Sequence, residues 1–288
     1  MQHFINKTCM FLTRSLSMNR DRGFIWIAQN NSTTDYVELS IALAKSIKRL
    51  CKENNIAIIV DKGTKLPHDL FDRIIPLEQD ESKNIEWKLN NEYKIFDLTP
   101  WTHNIKLEAD MLFTHSTDWW WNQLQQYNMV FSYHCRDYKD NVVKQSPYRK
   151  IFAKNYLPDV YSGLTYFRRS QFAKSHFILC KAIIQNWKYV KENILIDCHD
   201  ENPTTDVVYA LANKIMDPLE LDAVKLEWFN FVHNKCLLNI NTARYTDESN
   251  YLYPQILDNN VYLGGYRTDR IWHYHKKDLP KEINERIL

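Results

Sequence analysis

Two acids one residue apart, Glu108 and Asp110, stand between apolar runs in the segment NIKLEADMLFTHSTDWWW, residues 104–121. In an extended chain the side chains of residues i and i+2 project to the same side. Their charges repel, and burying them without compensation costs roughly several kcal/mol. A cation between or beside them is the natural remedy. Oxygen ligands of this kind suit Mg²⁺ or Mn²⁺, and a metal so held can accept a diphosphate. The alternative for an isolated E-x-D is a pair of turn or helix-capping acids neutralised by Lys or Arg. Near the end of the chain, WHYH places His273 and His275 on one face if that segment is a strand.

The elements that must position these groups follow from the apolar runs. FIWIA, residues 24–28, reads as a strand, and Thr34 or Asp35 can cap a helix through VELSIALAKSIKRLCKEN. IAIIV, residues 56–60, is a buried strand ending at Asp61, and FDRIIPL holds a further short strand. A helix over 86–98 leads into the strand carrying Glu108 and Asp110. MVFSY and GLTYF are strands, with a helix from Ser170 to Val190 and another through TTDVVYALANKI after Pro203. Beyond Pro218 the chain shortens into strands and turns: FNFVHNK, YLYPQIL, NVYLGG and RIWHYH. This rhythm predicts an α/β fold, a mixed, mostly parallel sheet flanked by helices, in a single domain with a C-terminal extension. In such sheets ligands bind at the carboxyl ends of strands, where Asp61 and the acid pair are expected. Residues 1–22 read as a leader, with Met18 a possible start, and 23–288 as the working domain.

Composition narrows the field. Only five glycines occur, so neither GxGxxG nor GxxxxGK[ST] can be written, which excludes the dinucleotide fingerprint and the P-loop. The six cysteines form no CxxC pair, which argues against zinc fingers and a disulfide framework and for a reducing cytosol. No window approaches ~18 uninterrupted apolar residues, so no membrane span or membrane partner is expected. A net charge of +2 diagnoses no partner, and the 9 Trp and 17 Tyr suit a large core and stacking surfaces alike.

The ordered phrases carry a resemblance. LEADML (107–112) resembles the "LDADML" in which a strand ends in D-x-D, and YSGLTYF (161–167) resembles a later "NSGVMVF" strand. TTDVVYALA (204–212) resembles a helix supplying a "DQ..LN" acid, and FVHNK (231–235) a segment with a metal-binding histidine. Together, over about residues 23–240, they make the chain similar to nucleotide-sugar glycosyltransferases of the GT-A type. The chain resembles the broad neighbourhood of glycogenin-like enzymes and is especially similar to glycosyltransferases of tailed bacteriophages. Glu108, Tyr161 and Val207 depart from the family's Asp, Asn and Gln.

The resemblance implies a GT-A-like fold and a nucleotide-binding half over about 23–110. An acceptor and catalytic half follows over about 111–240, then a C-terminal extension over 241–288. It implies that Gln29, Asn30, Asn31 and Tyr36 meet the base and ribose, with Asp61 as a base-reading acid. Asp110 and His233 become metal ligands, Glu108 a ligand of metal or ribose, and His273 and His275 rivals of His233. Asp206 becomes the acid facing the sugar, against its plain reading as a first-turn helix acid favoured by the macrodipole. Lys88, Lys94 and Lys235 become candidate phosphate cations. The donor expected is a UDP-sugar, with Mn²⁺ or Mg²⁺.

The acceptor is read from 136–154, RDYKDNVVKQSPYRKIFAK, whose cations and aromatics suit nucleic-acid contact as well as a plain solvated surface. By analogy with phage enzymes, a hydroxylated cytosine in DNA leads, reached by base extrusion in the host cytoplasm, with glycan and protein acceptors still open. Two other classes stay open: a metal-dependent phosphoesterase or nuclease, and a non-catalytic DNA- or glycan-binding protein with a transferase-like fold.

Overall fold

Strands β1 (Arg22–Ala28) and β2 (Ile56–Asp61) are apolar on both faces, as buried parallel strands must be. The computed structural model describes residues 21–83, 85–143, 149–233, 254–258, 260–274 and 277. In it β1 and β2 pair in parallel, with Phe24 opposite Ile56. Helix α1 (Tyr36–Leu50) crosses between them. Its N-terminus is capped by Asp35, which accepts from the Glu38 N–H. Strand β3 (Arg73–Leu77) follows.

The segment expected as one helix over 86–98 is a 3₁₀ helix, Lys88–Lys94, running into the short α2 (Ile95–Leu98). The Asn91 amide is drawn inward, donating to Gln29 Oε1 at 2.8 Å and Asp80 Oδ1 at 2.6 Å. At three residues per turn, Leu89 and Glu92 then share the face that lines the main cavity.

The remaining elements are β4 (His103–Lys106), β5 (Met111–Leu112), α3 (Asp118–Leu124), β6 (Met129–Ser132), α4 (Lys150–Lys154) and β7 (Tyr161–Arg168). Then come α5 (Gln171–Gln185), α6 (Trp187–Asn193), α7 (Thr205–Met216), β8 (Ala223–Lys225) and β9 (Phe231–His233). The last are β10 (Pro254–Leu257), β11 (Asn260–Leu263), β12 (Tyr266–Thr268) and β13 (Ile271–His273). The helix expected from Ser170 to Val190 is divided at Asn186, whose side chain donates to the Ala182 carbonyl at 2.8 Å.

The seven-stranded sheet has the order β3-β2-β1-β4-β7-β6-β8. Every strand in it runs the same way except β7, which is antiparallel to both neighbours. The expected mixed, mostly parallel α/β sheet is therefore present. Alternate residues of β1 and β2 feed two cores. Ile25, Ala57 and Ile59 pack with α5 and α7, while Phe24, Trp26 and Ile58 pack with α1 and α3.

Among the described residues there are two smaller sheets, β10-β11-β12 and β5-β13-β9. In the second, β13 runs antiparallel to β5, with His273 opposite Met111, and parallel to β9, with His273 opposite His233. Strand β13 is thus sewn onto the residues that follow the acid pair.

His176 on α5 is wholly buried against Phe131, Phe177 and Tyr209. Burial holds its imidazole neutral by lowering its pKa to about 3. The unfolded chain binds a proton near pH 6.5 that the fold refuses, so this residue costs stability as pH falls below that value. Relative to wild type, a His176→Leu variant should lose about 2 kcal/mol less stability between about pH 7 and pH 5, read by urea denaturation.

Candidate functional site

The acid pair lies past the end of β4, not within a strand. After Lys106 the chain turns through Leu107–Asp110, the Met111 N–H donating to the Glu108 carbonyl at 3.2 Å, and enters β5 in the second sheet. This change of sheet brings both carboxylates to β13. The Tyr274 N–H donates to the Asp110 carbonyl at 3.2 Å. His273 Nε2 lies 3.2 Å from Glu108 Oε2 and 3.2 Å from Asp110 Oδ1. One ligand atom from each of Glu108, Asp110 and His273 falls within 4.8 Å of the others. On β7, Gly163 makes room for this arrangement: a Cβ there would stand 3.1 Å from Glu108 Oε2 and 3.2 Å from the Met111 methyl.

The three side chains open on a cavity of about 400 Å³ beside the carboxyl ends of β1 and β4, reached by Ile27, Gln29 and Leu107. Asp110 is buried, which alone would raise its pKa. His273 and Lys277 outweigh that and hold the carboxyl well below the usual carboxylate range. Lys277 bonds directly to Asp110 Oδ2, and its ammonium lies 5.8 Å from the centre of the Tyr36 ring. Burial would lower the Lys277 pKa, but Asp110 holds it above its ordinary value. His233 lines the same cavity and packs its ring 4.6 Å from that of His273, outside the triad of facing ligand atoms.

Behind the acids sits a charge arrangement that the sequence reading did not single out. Lys106, the last residue of β4, is buried, contacts the Glu92 carboxylate, donates to the Ser162 carbonyl at 3.0 Å and lies 3.9 Å from Glu108 Oε1. Burial would lower its pKa, yet Glu92 and Glu108 hold it above its ordinary value, so the ammonium stays charged. The first turn of α7 presents Asp206, which lines the cavity. Its Oδ1 accepts from Ser162 N at 2.8 Å and Ser162 Oγ at 2.9 Å, and its Oδ2 from Arg149 at 3.1 Å.

The other expected site residues divide. Gln29, Asn31 and Tyr36 line the cavity. Gln29 donates to Asp61 at 2.8 Å, so Asp61 holds the wall from behind. Asn31 accepts from the Thr33 and Thr34 N–H groups at 3.1 and 2.8 Å, and Asn30 accepts from Val37 N–H at 3.0 Å. These are loop-to-helix contacts that shape the turn. Lys94 is turned elsewhere, donating to the Gln79 carbonyl and lying 3.8 Å from Glu81, while Lys88 lines the cavity. Lys235 and His275 lie outside the described residues.

Of the basic run proposed for nucleic acid, Arg136 pairs with Glu227, Arg149 with Asp159 and Asp206, and Lys154 with Asp197. Residues 144–148 lie outside the described residues. Glu92 and Lys106 had one signal in the sequence, the alternation of Lys106, Glu108 and Asp110. Nothing in it tied residue 92 to residue 106.

Among the described residues no helix is long and apolar enough to cross a membrane. No protein-family model matches the chain, and no curated protein matches it by sequence. Among solved structures it is similar to the crystal structure of the glycosyltransferase GlyE from Streptococcus pneumoniae TIGR4. The TM-score is 0.43 and the identity 12%, over 72% of this chain and 45% of that one. The chain spans less than half the length of that structure.

Proposed function

We propose that the chain is a metal-dependent glycosyltransferase of the GT-A type, moving a sugar from a nucleoside-diphosphate sugar, a UDP-sugar first, to an acceptor hydroxyl. The observation that carries this reading is the Glu108–Asp110–His273 cluster opening on the cavity at the carboxyl edge of the sheet. Two carboxylate oxygens and one imidazole nitrogen that already face one another are a donor set that fits Mn²⁺ or Mg²⁺. Bound there, the ion would supply Lewis-acid neutralisation of charge growing on the departing diphosphate.

The chain's own residues supply the rest. Gln29, Asn31 and Tyr36 form the wall assigned to the nucleoside. Lys277 brings an ammonium to the same edge, where it can answer a phosphate oxygen. Ser162 and Arg149 hold Asp206 as a fixed acceptor facing the cavity, so it orients a sugar hydroxyl or stabilises positive charge at the reacting carbon. The acceptor carried with this reading is a hydroxylated base in DNA. It rests on the phage resemblance, since Arg136, Arg149 and Lys154 are all engaged within the protein.

A phosphoesterase would want a denser set of carboxylates for a second ion. The cluster found among the described residues is a single triad.

The test is to follow free Mn²⁺ by its paramagnetic resonance during titration, with and without UDP, then incubate the protein with a panel of UDP-sugars. Mn²⁺ uptake that UDP strengthens, with UDP released from one sugar donor, is the expected result. UDP binding indifferent to Mn²⁺ and to chelator would remove the metal-dependent reading. Nucleic-acid cleavage without a sugar donor would replace it with the phosphoesterase.

A further inference from the structure

The cavity is charged unevenly. At the metal edge Asp110 faces His273 and Lys277. Across Lys106 from Glu108 lies Glu92, and through Ser162 lies Asp206, and both of these acids line the cavity. The cations behind them are committed within the protein. Lys106 stands between Glu92, Glu108 and the Ser162 carbonyl, and Arg149 between Asp206, Asp159 and the Val160 carbonyl. Lys88, on the cavity wall, gives its ammonium to the Ser82 carbonyl at 2.9 Å.

The group beyond the diphosphate therefore meets Glu92 and Asp206, which share Lys106 and Arg149 with Glu108 and Asp159, so that acids outnumber cations on that side. Glu92 is only 5% exposed, so its surroundings screen poorly. A hydroxyl there finds an acceptor, whereas a second carboxylate finds like charge and loses its water.

We propose that Glu92, held in place by Lys106, is a specificity-determining residue that admits a neutral, hydroxyl-bearing sugar and rejects a uronate. This rests on the nucleoside-diphosphate-sugar reading above and adds the class of donor to it.

The test is calorimetric titration of the full chain, in Mn²⁺, with UDP, UDP-glucose and UDP-glucuronate. Wild type should bind UDP-glucuronate at least about tenfold more weakly than UDP-glucose, a gap of ~1.4 kcal/mol. Glu92→Gln should narrow that gap at least about threefold. Because this variant deprives a buried ammonium of a partner, Lys106→Met/Glu92→Gln, which removes both charges together, carries the same expectation. Equal binding of the two donors by wild type, or an unchanged gap in a folded variant, overturns the specificity assignment and leaves the nucleoside-diphosphate reading standing. Failure of UDP itself to bind in Mn²⁺ overturns that reading and the assignment with it.

Discussion

An Asp110→Asn variant should lose more than about 100-fold in Mn²⁺ affinity, and release of UDP from a sugar donor should fall with it. Removing an outer partner of a ligand already costs about 10- to 100-fold in metal affinity, so removal of a ligand charge should cost more. Asp110 has the stronger claim of the two acids. Its side chain is 9% exposed against 26% for Glu108, and one oxygen faces His273 while the other holds Lys277. Asparagine keeps the shape but offers a neutral oxygen, leaving the Lys277 ammonium without the carboxylate it bonds, while His273 keeps Glu108 beside it. The variant should therefore also be less stable than wild type near neutral pH. A depressed carboxylate contributes stability that is present above its unfolded pKa of about 3.9 and lost as pH falls below it, so the two proteins should converge in acid. Free-ion resonance on the folded variant decides the matter. Unchanged Mn²⁺ affinity would show that Asp110 is the structural partner of Lys277 and His273 and nothing more.

What the sequence disclosed follows from which forces act locally. β1 and β2 were visible because continuous apolar runs bounded by polar turns leave little else for FIWIA and IAIIV to form. Helix α7 was visible from Pro203 and the apolar spacing after it. The acids of LEADML were visible because charge between buried runs needs compensation. Their placement beyond β4 was not, since it depends on β5 leaving the main sheet to pair with β13. That pairing joins residues 111 and 273, and no local pattern encodes so distant a register. The same pairing explains why His273 meets the acids while His233, one strand away in β9, packs against the His273 ring. The 3₁₀ turn at Lys88–Lys94 reads as ordinary helix in the sequence, and the Asn91 contacts with Gln29 and Asp80 that accompany it are tertiary. Arg149 reads as one cation of the 136–154 run, a nucleic-acid contact or a solvated surface, because nothing local ties it to Asp206 or Tyr161. In the fold, its guanidinium sits 3.7 Å from the Phe152 ring centre and 3.9 Å from that of Tyr161.

A Lys106→Met variant should be destabilised by about 3–5 kcal/mol near pH 7, the usual cost of removing one partner from a buried ion pair. Lys106 and Glu92 are 1% and 5% exposed, so water cannot take the place of the missing ammonium. Methionine fills most of the space left by the lysine stem, which confines the loss to charge and hydrogen bonding rather than packing. Burial already pushes the Glu92 carboxyl above its ordinary range with Lys106 beside it, and without the ammonium that push acts less opposed. An acid whose folded pKa is raised contributes stability at low pH and loses it as pH rises through that value. The deficit of Lys106→Met should therefore shrink as the pH is lowered from about 7 towards 5. Lys106→Met/Glu92→Leu, which removes both charges, should recover most of the loss, because a buried pair exchanged whole for apolar groups is often close to neutral. Urea denaturation of wild type, single and double variants at two pH values measures all three terms. If the double variant is no more stable than the single one, the ammonium serves chiefly the Ser162 carbonyl and Glu108, and the centre of the arrangement moves from the 3₁₀ turn to the β4–β7 seam.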